Sequence, residues 1–184
     1  MSRFARRAFV TCVARLVWLL GATAWSLPAL AQPVATESAI KAAYLHRFLP
    51  YVEWPASALP AADAPFVVGV LGSLPVASAL QSIVAARQFA GRPIEVRYLS
   101  SAQVPLDGLH VLFIGRGVAA DKVIPRLAQR PVLVVTEGES LPGTMLNFVV
   151  VDGRVRFEAA PATAEQAGLK LGARLLAIAE RVQP

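Results

Sequence analysis

Among the side chains that most often bind metals or attack substrates, this chain of 184 residues holds one cysteine, Cys12, and two histidines, His46 and His110. Cys12 falls in an N-terminal stretch that reads as a leader, so the processed protein is expected to have no disulfide, thiol nucleophile or cysteine metal ligand. H-E-x-x-H and G-x-S-x-G are both missing, which removes the usual zinc-protease and serine-hydrolase signatures. Charged residues make up only 16% against 55% hydrophobic, a balance that excludes a disordered chain. No Lys/Arg block with interleaved aromatics occurs, which argues against nucleic-acid binding.

The formal net charge of +6 is concentrated at the start. Arg3, Arg6 and Arg7 form a basic beginning, Leu16 to Ala24 is a short apolar run, and Ala29-Leu30-Ala31 is a small-x-small cleavage site. The expected organisation is a cleaved signal peptide over residues 1–31 and one α/β domain over residues 32–184. The apolar run is too short for a dependable membrane span. Arg6-Arg7-Ala8-Phe9-Val10 has the outline of a twin-arginine export signal, so the route is left open between ordinary and twin-arginine secretion. Cleavage removes four arginines and no acid, leaving 14 of the 18 basic residues against 12 acids, a net of +2. Such a leader predicts export across the inner membrane.

The densest pattern in the processed chain is Ile40 to Pro55, IKAAYLHRFLPYVEWP. Ile40, Tyr44, Phe48 and Tyr51 recur at helical spacing, with Leu45, Leu49 and Val52 beside them, which predicts a helix with one large apolar stripe. Pro50 predicts a stop or kink near Leu49. Further on, Phe66 to Leu71 reads as a strand covered on both faces, Leu109 to Ile114 as another buried strand, Pro131 to Val135 as a further strand, and Ile94 to Leu99 as a strand with Ile94, Val96 and Tyr98 alternating. Val76 to Ala86 and Ala119 to Gln129 read as helices. Thr144 to Val151, the turn Asp152-Gly153 and Arg154 to Glu158 predict an antiparallel hairpin. Thr163 to Val182 reads as one long helix with Ala167, Leu171, Leu175, Ala179 and Val182 on a stripe. The alternation predicts a single-domain three-layer α/β sandwich, a mostly parallel sheet with an antiparallel edge hairpin and helices on both faces.

The run Tyr44-Leu45, Phe48, Tyr51, Glu53-Trp54-Pro55 resembles the first helix of the YfiR-like family of periplasmic proteins, repressors of inner-membrane diguanylate cyclases. The likeness continues in order through Phe66 to Gly72, Gly91-Arg92-Pro93-Ile94, His110 to Ile114, Pro131 to Val135, Arg154 to Glu158, and Gly168 to Leu176, covering residues 39–182. Two departures stand out. Cysteine pairs found in some members are missing here, which rules out redox sensing through the protein's own thiols. An asparagine common after the Phe-Glu pair is replaced by Ala159-Ala160, so its polar contacts are not carried over. The resemblance implies a protein that inhibits a diguanylate cyclase by binding its periplasmic sensor domain. It further implies release on an outer-membrane lipoprotein partner, rising cyclic-di-GMP, biofilm growth and a homodimer. The alternative is a periplasmic small-molecule binding module feeding a different membrane sensor, such as a histidine kinase.

Candidate sites are few. Gly69-Val-Leu-Gly72-Ser73 lies between a strand and a helix, the shape of a phosphate-binding turn, and Gly72 and Ser73 are the candidate ligand turn. That turn lacks the dinucleotide and P-loop patterns, and no lysine follows it. Glu137 and Glu139 read as a solvated loop. His46 is expected on the flank of the first helix and His110 in or beside a strand. Arg154, Arg156 and Glu158 share one strand face. Partner-binding candidates are Tyr44, Phe48, Tyr51, Glu53, Trp54, Arg154 and Arg156, because clustered aromatics and arginines are typical of interface hot spots. No catalytic residues, metal or cofactor are expected, and the sequence does not compose an enzyme.

Overall fold

The computed structural model describes residues 36–101, 103 and 105–183; the expected leader, with Cys12, lies outside the described residues. Helix α1 spans Glu37–Phe48. Thr36 caps it by accepting the Ala39 N–H, and Glu37 adds a favourable negative charge to the first turn. Pro50 then permits only a 3₁₀ turn, Leu49–Tyr51, before strand β1, Val52–Glu53. The helix stops where the proline predicts. The buried stripe is shifted, however. Lys41, Ala42, Leu45 and Phe48 face inward, while Ile40 and Tyr44 are half-buried at its margin and Tyr51 has left the helix.

A single eight-stranded sheet forms the middle layer. It contains β2 (Phe66–Leu71), β3 (Gln88–Phe89), β4 (Arg92–Leu99), β5 (Val111–Ile114), β6 (Leu133–Glu137), β7 (Leu146–Val151), β8 (Arg154–Ala159) and β10 (Arg181–Val182). Their order across the sheet is β10-β8-β7-β6-β5-β2-β4-β3. Strands β4, β2, β5, β6 and β7 run parallel, β7 and β8 form the antiparallel hairpin, and β10 adds in parallel outside β8. The hairpin therefore lies one strand in from the edge. Its turn needs positive φ at both central residues, and Asp152 (φ 50) and Gly153 (φ 70) supply it.

Strand alternation separates two cores. On one face, Val68, Val70, Phe113, Val135, Phe148 and Phe157 pack beneath α1 and α2 (Leu74–Val84). On the other, Val67, Leu71, Leu112, Ile114 and Val134 pack against Val123, Ile124 and Leu127. Double coverage is why the central strands read as unbroken apolar runs, each buried Val, Leu or Phe contributing about 1.5–3 kcal/mol. The second face is covered by less helix than expected. Pro125 interrupts the 119–129 segment, leaving a one-turn α3, Ala120–Val123, that continues as 3₁₀ through Leu127. Tyr98 is exposed, whereas Ile94 and Val96, at alternate positions of the same strand, pack against the core.

The expected long C-terminal helix does not form. Helix α4 covers only Pro161–Gln166, followed by β9 (Lys170–Leu171), α5 (Ala173–Leu176) and β10. Gly168 ends α4 in the left-handed conformation (φ 76), with Leu169 N–H bonding Ala164 C=O and Gly168 N–H bonding Glu165 C=O. This is a Schellman stop. β9 then pairs antiparallel with β1, Val52 opposite Leu171 and Glu53 opposite Lys170, tying the end of the first helix to the C-terminal segment.

Candidate functional site

The β1–β9 ribbon determines how the aromatic segment is displayed. Gly172 N–H donates to the Tyr51 carbonyl at 2.8 Å, and a Cβ at Gly172 would lie 2.9 Å from that oxygen, so only glycine fits without a shift. Held by its backbone, Tyr51 is 38% exposed beside a shallow depression formed with Pro50, Glu53, Ala173 and Arg174. Glu53 is exposed and 3.5 Å from Lys170 across the ribbon. Trp54 is half-buried, edge-on to Phe66 (5.1 Å) and Phe89 (5.4 Å). Among the described residues, its buried Nε1 has no acceptor.

The remaining candidates fall elsewhere. Phe48 is 1% exposed, 4.9 Å from Phe157 and stacked on Phe148, which removes it from any surface. Tyr44 packs on the same three rings at the edge of this cluster. Arg154 and Arg156 alternate with Val155 and Phe157, and it is the latter pair that packs into the α1-side core. The arginines therefore occupy the opposite sheet face from α1 and the β1–β9 ribbon. Arg156 lies 4.0 Å from Glu180, and Arg181 lies 3.4 Å from Glu158. The structure thus separates the sequence candidates: Tyr51 and Glu53 are exposed at the ribbon, Arg154 and Arg156 lie on the opposite sheet face, Phe48 is in the core, and Tyr44 and Trp54 are half-buried at its margin.

Gly72 and Ser73 end β2 at the point where the chain leaves toward β4 on one side and β5 on the other, the crevice in which doubly wound sheets bind ligands. Here Val118 closes over it, for a Cβ on Gly72 would lie 2.2 Å from Val118 Cγ2. The sequence reading missed a nearby signal, Gly115-Arg116-Gly117-Val118-Ala119-Ala120 after β5, which has the outline of a dinucleotide fingerprint. The helix after it is a single turn, Arg116 is paired 3.5 Å from Glu137, and the turn lines an open depression of about 340 Å³ together with the acidic residues Glu137 and Glu139.

Lys41 and Glu137 were also missed. Glu137 ends β6 and is largely buried rather than solvated, 3.1 Å from Lys41, which also pairs with Glu37. Beside it lies a buried polar cluster. The Thr136 hydroxyl donates to Asn147 Oδ1 (3.0 Å), and the Asn147 amide donates to the Gly138 carbonyl and to Glu158. The available signal was Lys41 at the same helical spacing as Leu45 and Phe48, on the inward stripe.

His110 is buried, and its Nδ1 accepts the Val67 N–H at 3.0 Å, which requires that nitrogen to be unprotonated. Burial, with the charge of Arg92 adding, holds its pKa below the ordinary value. It braces two strands and stacks on Phe66. Among the described residues no group of His, Cys, Asp and Glu could hold a metal ion, and no helix is long and apolar enough to cross a membrane.

The chain thus forms a three-layer α/β domain with an aromatic displayed on a braced ribbon. The chain belongs to the YfiR/HmsC-like family, whose model matches residues 38–180. That family is regulatory rather than enzymatic, and its setting is the periplasmic control of diguanylate cyclases. No curated protein matches the chain.

Proposed function

We propose that this protein inhibits an inner-membrane diguanylate cyclase by binding its periplasmic sensor domain through the Tyr51–Glu53–Arg174 surface. Residues 1–31 serve as a cleaved leader and residues 32–184 as the regulatory domain. Inhibition works by population shift, the protein binding the inactive receptor conformation better than the active one. Capture on an outer-membrane lipoprotein would release the cyclase, raise cyclic-di-GMP and favour biofilm growth, and a homodimer belongs to the same reading. The observation that carries the surface assignment is Tyr51, an exposed aromatic whose backbone is held by Gly172 and β9, so that little ordering is left for binding. The small-molecule reading at Gly72 has less support, since Val118 occupies the crevice.

Titration calorimetry with periplasmic domains of membrane cyclases from the same source tests this. Tyr51→Ala is expected to weaken binding by about 2 kcal/mol, roughly 30-fold, with an unchanged melting temperature. Binding to no cyclase domain would refute the function. Equal binding by wild type and Tyr51→Ala would refute the surface, and a parallel Arg154→Ala/Arg156→Ala variant would then show whether the opposite face carries the contact.

A further inference from the structure

A concavity lies where the 3₁₀ turn after α3 meets the end of the sheet and α4. It is a half-open depression of about 540 Å³, within the range of small-molecule sites. Its floor and walls are apolar: Ile124, Leu127, Val134 and Met145 are buried core residues that also line it. The space stays open because the facing positions, Ala128, Gly143 and Ala167, carry little or no side chain. Gly143 cannot be enlarged, since a Cβ there would lie 2.4 Å from Ile124 Cγ2.

The side-chain polar groups at this cavity are all uncharged. Gln129, Thr163 and Gln166 line it, and none of their side chains takes part in a hydrogen bond among the described residues. Gln129 is also held at φ 62, a left-handed conformation that is strained for a non-glycine residue. No Asp, Glu, Lys, Arg or His lines the cavity. A charged group placed against the buried part of this lining would meet no counter-charge there, which is unfavourable. A neutral molecule with an apolar body and one hydrogen-bonding end meets both halves of the lining.

We propose that this cavity is a binding site for a neutral amphipathic small molecule, its body on Ile124, Leu127 and Met145 and its polar end on the carboxamides of Gln129 and Gln166. Helix α4 leads within four residues to β9, the strand that braces Tyr51. A ligand here would sit on the same chain segment as the proposed cyclase contact. The site itself does not depend on that contact.

The test is a fluorescence titration of protein expressed from the full chain, with N-phenyl-1-naphthylamine, a neutral apolar arylamine carrying one N–H. Saturable binding at one site per chain is expected. The anionic analogue 1-anilinonaphthalene-8-sulfonate should bind at least roughly tenfold more weakly. Thr163→Phe, which fills the space, should abolish binding, and Gln166→Leu should weaken it roughly fivefold by removing one carboxamide. Thermal melts establish that each variant is folded; should Thr163→Phe unfold, Ala128→Phe replaces it, because Ala128 is exposed and its substitution leaves the core untouched. Unsaturable binding, binding that survives the filling variant, or tighter binding of the anion would each overturn the proposal.

Discussion

Lys41, in the middle of α1, is only 4% exposed and its ammonium lies 3.1 Å from the Glu137 carboxylate at the end of β6. A buried cation and a largely buried anion hold each other where neither could stay charged alone. The pair also attaches the first helix to the sheet at the strand ends. Replacing Lys41 by Met keeps the length of the side chain and removes the charge, leaving Glu137 with exposed Arg116 only. The expected cost is about 2 kcal/mol, read as a lower urea midpoint. The double variant Lys41→Met/Glu137→Leu should lose less than the single one, because no unpaired charge remains. A double variant at least as unstable as Lys41→Met would show that the ion pair is not the source of the effect.

Phe48 and Tyr51 are three residues apart and should respond oppositely. Phe48→Ala opens a cavity among Tyr44, Phe148 and Phe157 and is expected to cost about 3–5 kcal/mol in chemical denaturation. Tyr51→Ala should leave stability within about 0.5 kcal/mol and act on cyclase binding instead. If Tyr51→Ala destabilised as much as Phe48→Ala, the ring would belong to the core rather than to a displayed surface.

Gly172→Ala places a methyl group 2.9 Å from the Tyr51 carbonyl oxygen and must displace one of the two segments. A loss of about 1–3 kcal/mol is expected, together with weaker amide-exchange protection at Gly172, whose N–H bonds that carbonyl. Unchanged stability and protection would mean that the β1–β9 ribbon yields freely and does not brace Tyr51.

Acid should act in two windows. His110 is held below its ordinary value of 6.5 by burial first and the Arg92 charge next; His46 is lowered by burial and then by Arg87 and Arg47. A histidine that protonates more readily unfolded than folded favours unfolding once it titrates. Stability should therefore hold above pH 6.5 and decline as pH falls below it. Glu37 is lowered from 4.5 by its hydrogen bond with Lys41 first, so its contribution is present above 4.5 and lost at lower pH. His110→Asn, which can keep an acceptor for the Val67 N–H, should flatten the upper window and leave the lower one. A denaturation series against pH checks this, and an unaltered slope below pH 6.5 would exclude His110 as its source.

Several elements were legible because local and tertiary demands agree. Phe66 to Leu71 and Val111 to Ile114 read as buried strands, and they are. The Asp152-Gly153 turn and the stop at Pro50 follow from backbone chemistry alone. The C-terminal segment misled because Ala167, Leu171 and Leu175 repeat every four residues. Gly168 and Gly172 outweigh that spacing, one by ending a helix in the left-handed region and the other by close approach to Tyr51. The first was readable as a helix-stop signal; the second depends on a strand far away in the chain.

The candidate site divides the same way. The aromatic run was visible in the sequence, yet helical spacing could not say which rings are displayed. Phe48 went to the core and Tyr51 to the surface because the α-helix ends between them, changing the direction in which successive side chains point.

By itself, the order of residues determined the α/β class, the paired hairpin, the end of the first helix and the family, since each rests on backbone preference or on a linear pattern of apolar residues. Only the tertiary structure decided that Lys41 meets Glu137, that Val118 closes the Gly72 crevice, that Tyr51 and Arg154 face opposite ways, and that small residues leave a cavity beside Met145. Those outcomes depend on segments far apart in sequence arriving at one place. That is set by how whole elements pack, and no local pattern encodes it.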